Sequence, residues 1–240
     1  MSLISNITLN TRKNTLRKLI NSCTILQENK WDELFSFISD MSKMDGIDIN
    51  ESYGDLYGSL LVISCLMLDY EMFELLLSKD ADPTITHINL TLAEVIYQKA
   101  YDLRFYQYLK NSKIDFNKAT STEKTPLSIV IIHSSNFKKK NDNAKYLECL
   151  RILDFLLSEN VDVNLNSPGD ISPLMIASRD DLFDIIKKLI DQGADPLRKY
   201  FINEVDKEIC CIDYISDLFH KNVKSKAKYD EVLALIGKDA

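Results

Sequence analysis

Three histidines and five cysteines are the first residues of this chain of 240 to consider for a zinc site or a thiol nucleophile. A zinc site needs cysteine and histidine at short ligand spacing, and a reactive thiol needs a histidine base beside it. His87, His133 and His220 stand far apart, and the sequence has no H-E-x-x-H or C-x-x-C motif. A Cys-His-Asp set drawn from Cys65 and His87 has no support from spacing. The sequence predicts no catalytic residue, no metal ligand and no cofactor.

Glycine and aspartate motifs are equally weak as chemical sites. The stretch from Gly54 to Gly58 has two glycines but lacks the following lysine of a phosphate-binding loop. Asp180 and Asp181 interrupt two apolar stretches, which is typical of a turn between helices rather than of a metal site. Function must therefore be carried by a surface, and that surface depends on the elements that form it.

The charge of the chain is acidic but uneven. A net charge of −7 and a pI near 5.1 argue against nucleic acid as a partner of the whole surface. Residues 28–82 contain 13 acidic residues and three lysines, whereas basic residues gather at 12–18, 138–145 and 221–228. Five cysteines without a framework spacing favour free thiols in a reducing compartment. No signal-peptide pattern or apolar run of membrane length is visible, so we expect a cytoplasmic, monomeric protein that contacts no membrane.

The clearest structural unit runs from Ser172 to Leu197. Ser172 and Pro173 predict a helix start, because the hydroxyl can accept a hydrogen bond from an early backbone N–H and proline suits the first turn. An apolar stretch, a charged break and a second apolar stretch at 182–190 predict two short amphipathic helices joined by a turn. Gly193 then ends the second helix in the left-handed conformation. Two helices this short cannot bury their apolar faces alone, so each pair needs a similar neighbour.

The same closing signal recurs along the chain. Aspartates mark it at five positions, with spacings of 34, 33, 47 and 33 residues: Asp48, Asp82, Asp115, Asp162 and Asp195. The long interval indicates one unit with an insertion of about 14 residues. The polar and basic stretch 134–146 lies where the insertion falls, so we expect it to form a loop between the two helices of its unit.

These marks resemble the ankyrin repeat, whose period is about 33 residues. Thr125-Pro126-Leu127 and Ser172-Pro173-Leu174 match the family's T-P-L helix start, and Ala81-Asp82 and Gly193-Ala194-Asp195 match its G-A-D turn. The resemblance implies an all-α solenoid of about five to six helix-turn-helix units with capping ends, in a single domain of residues 1–240. The units are assigned to residues 1–50 (a degenerate cap), 51–84, 85–117, 118–164 (with the insertion 134–146), 165–197 and 198–240 (a C-terminal cap).

Ankyrin proteins usually bind partner proteins through the turn that leads each unit and the exposed side of its first helix. The resemblance therefore implies protein binding through a concave, net-acidic face, by a partner with a basic surface. The candidate binding residues are Asp55, Leu56, Gly58, Leu66, Met67, Thr86, His87, Asn89, Ser121, Thr122, Lys124, His133, Gly169, Ile171, Arg179 and Asp180. Leu66, Met67 and Ile171 are apolar where a polar residue is expected, which is typical of interface anchors. Packing against an adjacent repeat explains Leu66 and Met67 equally well.

Other interpretations stay open at this stage. The run Lys138 to Lys140 is either a solvated loop tip or a clasp for an acidic partner. A catalytic interpretation would place a Cys/His site in unit 85–117 or in the insertion, and a structural one has the chain as the targeting part of a larger assembly. A composition rich in Ile, Lys and Asn is typical of AT-rich genomes, and bacterial effectors, immunity-type proteins and viral host modulators are candidate owners. An effector would act in the cytosol of its host.

Overall fold

The apolar stretches of the sequence form short helices joined by tight turns in this computed structural model. The structure describes residues 3–24, 31–52, 58–85, 90–99, 101–166, 169–203, 206–221 and 225–237. Most of these residues are helical, which confirms the expected all-α fold of ankyrin type. The chain divides into two compact units, Met1–Ala100 and Tyr101–Ala240.

The first compact unit is built from short helices whose starts are fixed by capping side chains. Its helices are α1 (Leu3–Thr24), α2 (Trp31–Ser39), α3 (Met41–Met44), α4 (Leu60–Leu66), α5 (Tyr70–Ser78) and α6 (Leu92–Lys99). Ser59 Oγ accepts the Val62 N–H at the start of α4. Before α6, the Thr91 N–H donates to Glu94 Oε2 at 2.7 Å, and the Glu94 N–H donates to Thr91 Oγ1 at 3.3 Å. This reciprocal capping box satisfies two backbone donors that a helix start leaves open.

The second compact unit continues with helix pairs and one short hairpin. Its elements are α7 (Leu103–Asn111), α8 (Pro126–Lys139), α9 (Asn143–Ser158), α10 (Pro173–Arg179), α11 (Phe183–Asp191), β1 (Tyr200–Ile202), β2 (Lys207–Ile209), α12 (Cys211–His220) and α13 (Lys226–Ile236). The helix start predicted at Ser172 is confirmed, because its Oγ accepts the Met175 N–H at 3.3 Å. The left-handed conformation expected at Gly193 is also present, with φ of +87°.

The hairpin of β1 and β2 was not predicted from the sequence. The strands pair in antiparallel register, with Phe201 opposite Glu208. Gly169 forms a parallel bridge with Ile202 on the other edge of β1, and the Asn203 N–H donates to the Gly169 carbonyl at 2.9 Å. The leading turn of one repeat is thus fixed to the leading turn of the next by backbone hydrogen bonds.

The five marker aspartates all make the same local turn. The Oδ1 atom of each accepts the backbone N–H two residues later at 2.8 to 2.9 Å, in Asp48, Asp82, Asp115, Asp162 and Asp195. This Asx turn is the physical reason for aspartate at these positions. Where asparagine follows two positions later, it reaches the next turn: Asn164 Oδ1 accepts the Asp195 N–H at 2.8 Å, and Asn50 and Asn117 do the same for Asp82 and Asp162.

The insertion 134–146 is not the loop that we expected. Helices α8 and α9 have 14 and 16 residues, whereas the corresponding helices α10 and α11 have 7 and 9. Each helix is therefore seven residues longer, and the turn between them keeps three residues in both repeats. Seven residues make about two helical turns, so the added segments continue the buried faces of the helices that they extend.

Candidate interaction surface

The first helix of each repeat is buried over most of its length. In the first compact unit, residues 60–65 of α4 are all buried, and only Leu66 and Met67 at its C-terminal end reach the surface. Met67 is 39% exposed, whereas Leu66 is half-buried. Met67 is therefore accessible to a partner, as an interface anchor must be, whereas Leu66 is partly packed within the chain.

The same pattern holds in the second compact unit. Residues 126–131 of α8 and 173–178 of α10 are buried, the latter because α10 packs between α8 and α12. His133, Arg179 and Asp180 lie where the buried stretches end, and each is half-buried. A partner can reach the C-terminal ends of these helices and the turns that follow, but not their middle.

The turn that leads the fourth repeat presents the predicted hydroxyl residues to solvent. Ser121 and Thr122 are exposed, and the turn is closed by the Thr120 N–H, which donates to the Lys124 carbonyl at 2.9 Å. Lys124 Nζ forms an ion pair with Asp170 of the next leading turn. This ion pair joins two neighbouring leading turns, so it fixes the position of one turn relative to the other.

Other candidate residues lie in the core or outside the described part of the chain. Gly58 is buried, and Ile171 is only 5% exposed. Ile171 comes directly before the cap of α10, in a turn that is bridged to β1, and its side chain belongs to the core. The prediction that Ile171 is an exposed interface anchor is therefore wrong. Gly169 is half-buried at a φ of +75°. Asp55, Leu56, Thr86, His87 and Asn89 lie outside the described residues.

His133, the residue directly before the insertion, lies in an aromatic cluster. Tyr101 meets His133 edge-on with ring centroids 4.9 Å apart, and its hydroxyl lies 3.5 Å from His133 Nδ1. Phe137, one turn further along α8, packs edge-on against Tyr101 at 4.7 Å. Cys149 on α9 is buried, and burial raises the pKa of its thiol to about 12, although a hydrogen bond with Ser134 lowers it. A thiol nucleophile needs the opposite shift.

Two lysines of the run in the insertion, Lys138 and Lys139, contact aspartates of this same chain. Lys139 Nζ pairs with Asp180 Oδ1 at 2.9 Å, and Lys138 Nζ donates to the Asp181 carbonyl at 3.1 Å. Arg179 pairs with the second oxygen of Asp180 at 2.9 Å, and Lys228 of α13 pairs with Asp181 at 2.8 Å. The run thus braces the turns of consecutive repeats.

The Asp180 carboxylate is the centre of this brace. Its side chain is 8% exposed, so burial opposes the charged form, but hydrogen bonds from Arg179 and Lys139 outweigh burial and hold its pKa below the usual range. Asp180 is therefore charged at neutral pH, and it stabilises the turn more than it offers a free charge to a partner.

Sequence reasoning missed the exposed side chains of the hairpin. Phe201 is 49% exposed and lines an open cleft of about 390 Å³ together with Asn166, Gly169, Tyr200 and Asn203. Leu197, in the turn before the hairpin, is 54% exposed. The run of aromatic and β-branched residues at 200–202 was the available signal, since such runs favour strands. A strand of three residues with buried neighbours must turn its middle side chain outward.

No chemical centre emerges from the described residues. The buried thiols of Cys65 and Cys211 have raised pKa values because burial disfavours the thiolate, with Cys211 at about 12. Among the described residues, no three His, Cys, Asp or Glu side chains are arranged to hold a metal ion. Within the same part of the chain, no helix has the length and apolar character needed to cross a membrane.

Comparison with known families agrees with the geometry. The family model of the ankyrin repeat matches residues 170–200, the segment that contains α10, α11 and the Asp195 turn. No curated protein matches the chain. The same capped helix pairs and aspartate turns recur outside the matched segment, in degenerate form. Residues 170–200 of this chain therefore form an ankyrin repeat.

Proposed function

We propose that this chain is a protein-interaction module without catalytic activity of its own. It binds a partner protein through the turn that leads each repeat and the turn that follows the first helix. The observation that carries the proposal is the position of its exposed apolar side chains. Among the large apolar residues exposed in the described part of the chain, Met67, Ile114, Leu197 and Phe201 lie in turns or in the hairpin, and Leu147 lies on a helix. Loops held by a rigid scaffold are where binding residues concentrate.

The polar residues of the proposed surface support selectivity more than affinity. In the second compact unit we assign to it Ser121, Thr122, Lys124, His133, Gly169, Arg179 and Asp180. Lys124 and Arg179 already have carboxylate partners within the chain, so a partner gains little by pairing with them. Met67 and Leu66 form the corresponding surface of the first compact unit, with Met67 as the accessible anchor.

The environment of the thiols supports binding rather than covalent catalysis. Cysteine nucleophiles have lowered pKa values and partial exposure, whereas Cys65, Cys149, Cys210 and Cys211 are buried, with raised pKa values. These four cysteines are free, which supports a reducing compartment such as the cytosol. Within that setting, a role as an effector that engages a host protein is one form of the same binding function.

The test is affinity capture of partners by the wild-type chain and by surface variants, with chemical cross-linking to locate the contact. Leu66→Asp/Met67→Asp and the single change Met67→Asp would remove the anchor of the first compact unit. Leu147→Asp makes the same change at an exposed helix position and is the matched control. We expect partners to be lost by the first two proteins and kept by the control, with circular dichroism unchanged. An identical partner set for all variants, with cross-links elsewhere, would refute this choice of surface.

A further inference from the structure

We propose that the open cleft beside the hairpin binds an extended acidic segment of the partner protein, with one apolar side chain of that segment packed on Phe201. This inference rests on the proposed protein-binding function and adds the chemistry of the bound segment. It concerns only the second compact unit, and in particular Asn166, Gly169 and residues 198–203.

The hydrophobic part of the cleft is held on a rigid support. Tyr200 and Ile202 on either side of Phe201 are buried, and the Tyr200 hydroxyl donates to the Asn164 carbonyl at 2.9 Å. The bridge between Ile202 and Gly169 fixes the strand from its other side. Phe201 is therefore about half exposed because the strand directs it outward, and a partner gains its burial without having to order a loop.

Two amide side chains give the cleft polar groups suited to a peptide backbone. Asn166 Nδ2 donates to the Asp170 carbonyl at 2.9 Å, and within the described residues its Oδ1 accepts no hydrogen bond. Asn203 follows β1 and, within that same part of the chain, makes no side-chain hydrogen bond. An amide offers both a donor and an acceptor, which is the pairing that an extended main chain presents.

The charge beside the cleft selects an acidic segment. Arg198 and Lys199 directly precede β1, and both are exposed without an ion-pair partner among the described residues. Arg198 lies over the Tyr200 ring at 5.6 Å, which holds its guanidinium near the strand. Glu208 on β2 lies directly opposite Phe201, so the acidic residues of the bound segment must lie towards Arg198 and Lys199 before the start of β1, away from Glu208. A segment that lies along the open side of the cleft thus meets two cations that have no ion-pair partner among the described residues, in a chain that is acidic overall.

A library of random linear peptides displayed on phage, selected on the full-length chain, tests this inference. We expect the wild type to enrich sequences that combine adjacent acidic residues with one aromatic or aliphatic residue. A synthetic peptide of the consensus should bind about tenfold more weakly to Phe201→Ser, and also to Arg198→Glu/Lys199→Glu, which corresponds to about 1.4 kcal/mol for each. Added salt should weaken the binding of the wild type.

Two matched controls separate the cleft from general surface effects. Leu147→Ser removes an equally exposed apolar side chain, and Lys140→Glu/Lys187→Glu changes the net charge by the same amount at other exposed positions. Both controls should bind the peptide as the wild type does. A basic consensus, no enrichment of any peptide, or an equal loss of binding in the controls and the cleft variants would overturn the inference. Partner capture that depends on Met67 but not on Phe201 would overturn it while leaving the proposed function intact.

Discussion

At the scale of single residues, an asparagine two positions after three of the five marker aspartates explains how consecutive turns keep their register. Asn164 accepts the Asp195 N–H with Oδ1 and donates to the Gly193 carbonyl at 3.0 Å with Nδ2. It therefore satisfies a donor and an acceptor in the next closing turn with one side chain. The loss of this side chain leaves the Asp195 N–H and the Gly193 carbonyl without this hydrogen-bond partner in the protein.

We predict that Asn164→Ala lowers the free energy of unfolding by about 1 to 2 kcal/mol, since two hydrogen bonds are lost at a half-buried position. Urea denaturation followed by circular dichroism measures the change. Asn136→Ala, at an exposed position within α8, is the control and should cost almost nothing. Equal effects of the two substitutions would show that the asparagine does not join the turns.

The lowered pKa of Asp180 predicts a dependence of stability on pH. Its carboxylate is stabilised by Arg179 and Lys139 in the folded chain only, so the stabilisation is complete above the unfolded pKa of about 3.9 and is lost as the pH falls through the lower folded value. Asp180→Asn should therefore reduce stability at pH 7 by about 1 to 2 kcal/mol and by much less in acid. Urea titrations across acidic and neutral pH give the comparison. An equal loss of stability in acid and at neutral pH would contradict this role of the charge.

At the scale of elements, the extension of α8 and α9 shows how a repeat absorbs additional residues. Seven residues rotate a helix to within about 20° of its starting direction, so the same face stays buried. Phe137 and Cys149 occupy that face in the added turns, and both are buried. A polar loop of the same length would not have placed Lys138 and Lys139 beside the turn that follows α10. The length of the insertion is therefore explained by helical periodicity.

We predict that paired deletion of residues 133–139 and 143–149 yields a folded chain with modestly reduced stability, because it restores a standard repeat but removes the contacts of Phe137 and Lys139. Paired deletion of residues 134–138 and 144–148 is the control, since five residues turn each helix by about 140° and expose its apolar face. Circular dichroism and urea denaturation should show a cooperative transition for the first protein and none for the second. Similar behaviour of both would mean that the extensions do not keep helical register.

At the scale of the whole molecule, the sequence indicated the repeats because local signals mark them. Capping at Ser172, the left-handed Gly193 and the aspartate turns depend on residues a few positions apart, so they can be recognised without coordinates. The burial of Ile171, the exposure of Phe201 and the pairing of Lys139 with Asp180 depend on which turns become neighbours. Periodicity could have shown the helical extension, since Phe137 and Cys149 fall at helical spacing from the residues that flank them. The polar composition of 134–146 hid this pattern.

The buried thiols offer a test of how stability is distributed over the chain. Cys65 lies in the first compact unit, whereas Cys149 and Cys211 lie in the second, and all three are buried. Because burial raises their pKa values, alkylation at neutral pH requires local opening. Repeats are stabilised mainly by their neighbours, so Asn164→Ala should accelerate alkylation of Cys149 and Cys211 more than that of Cys65. Mass spectrometry after timed labelling gives the three rates, and equal acceleration at all three cysteines would show that the chain opens as one cooperative body.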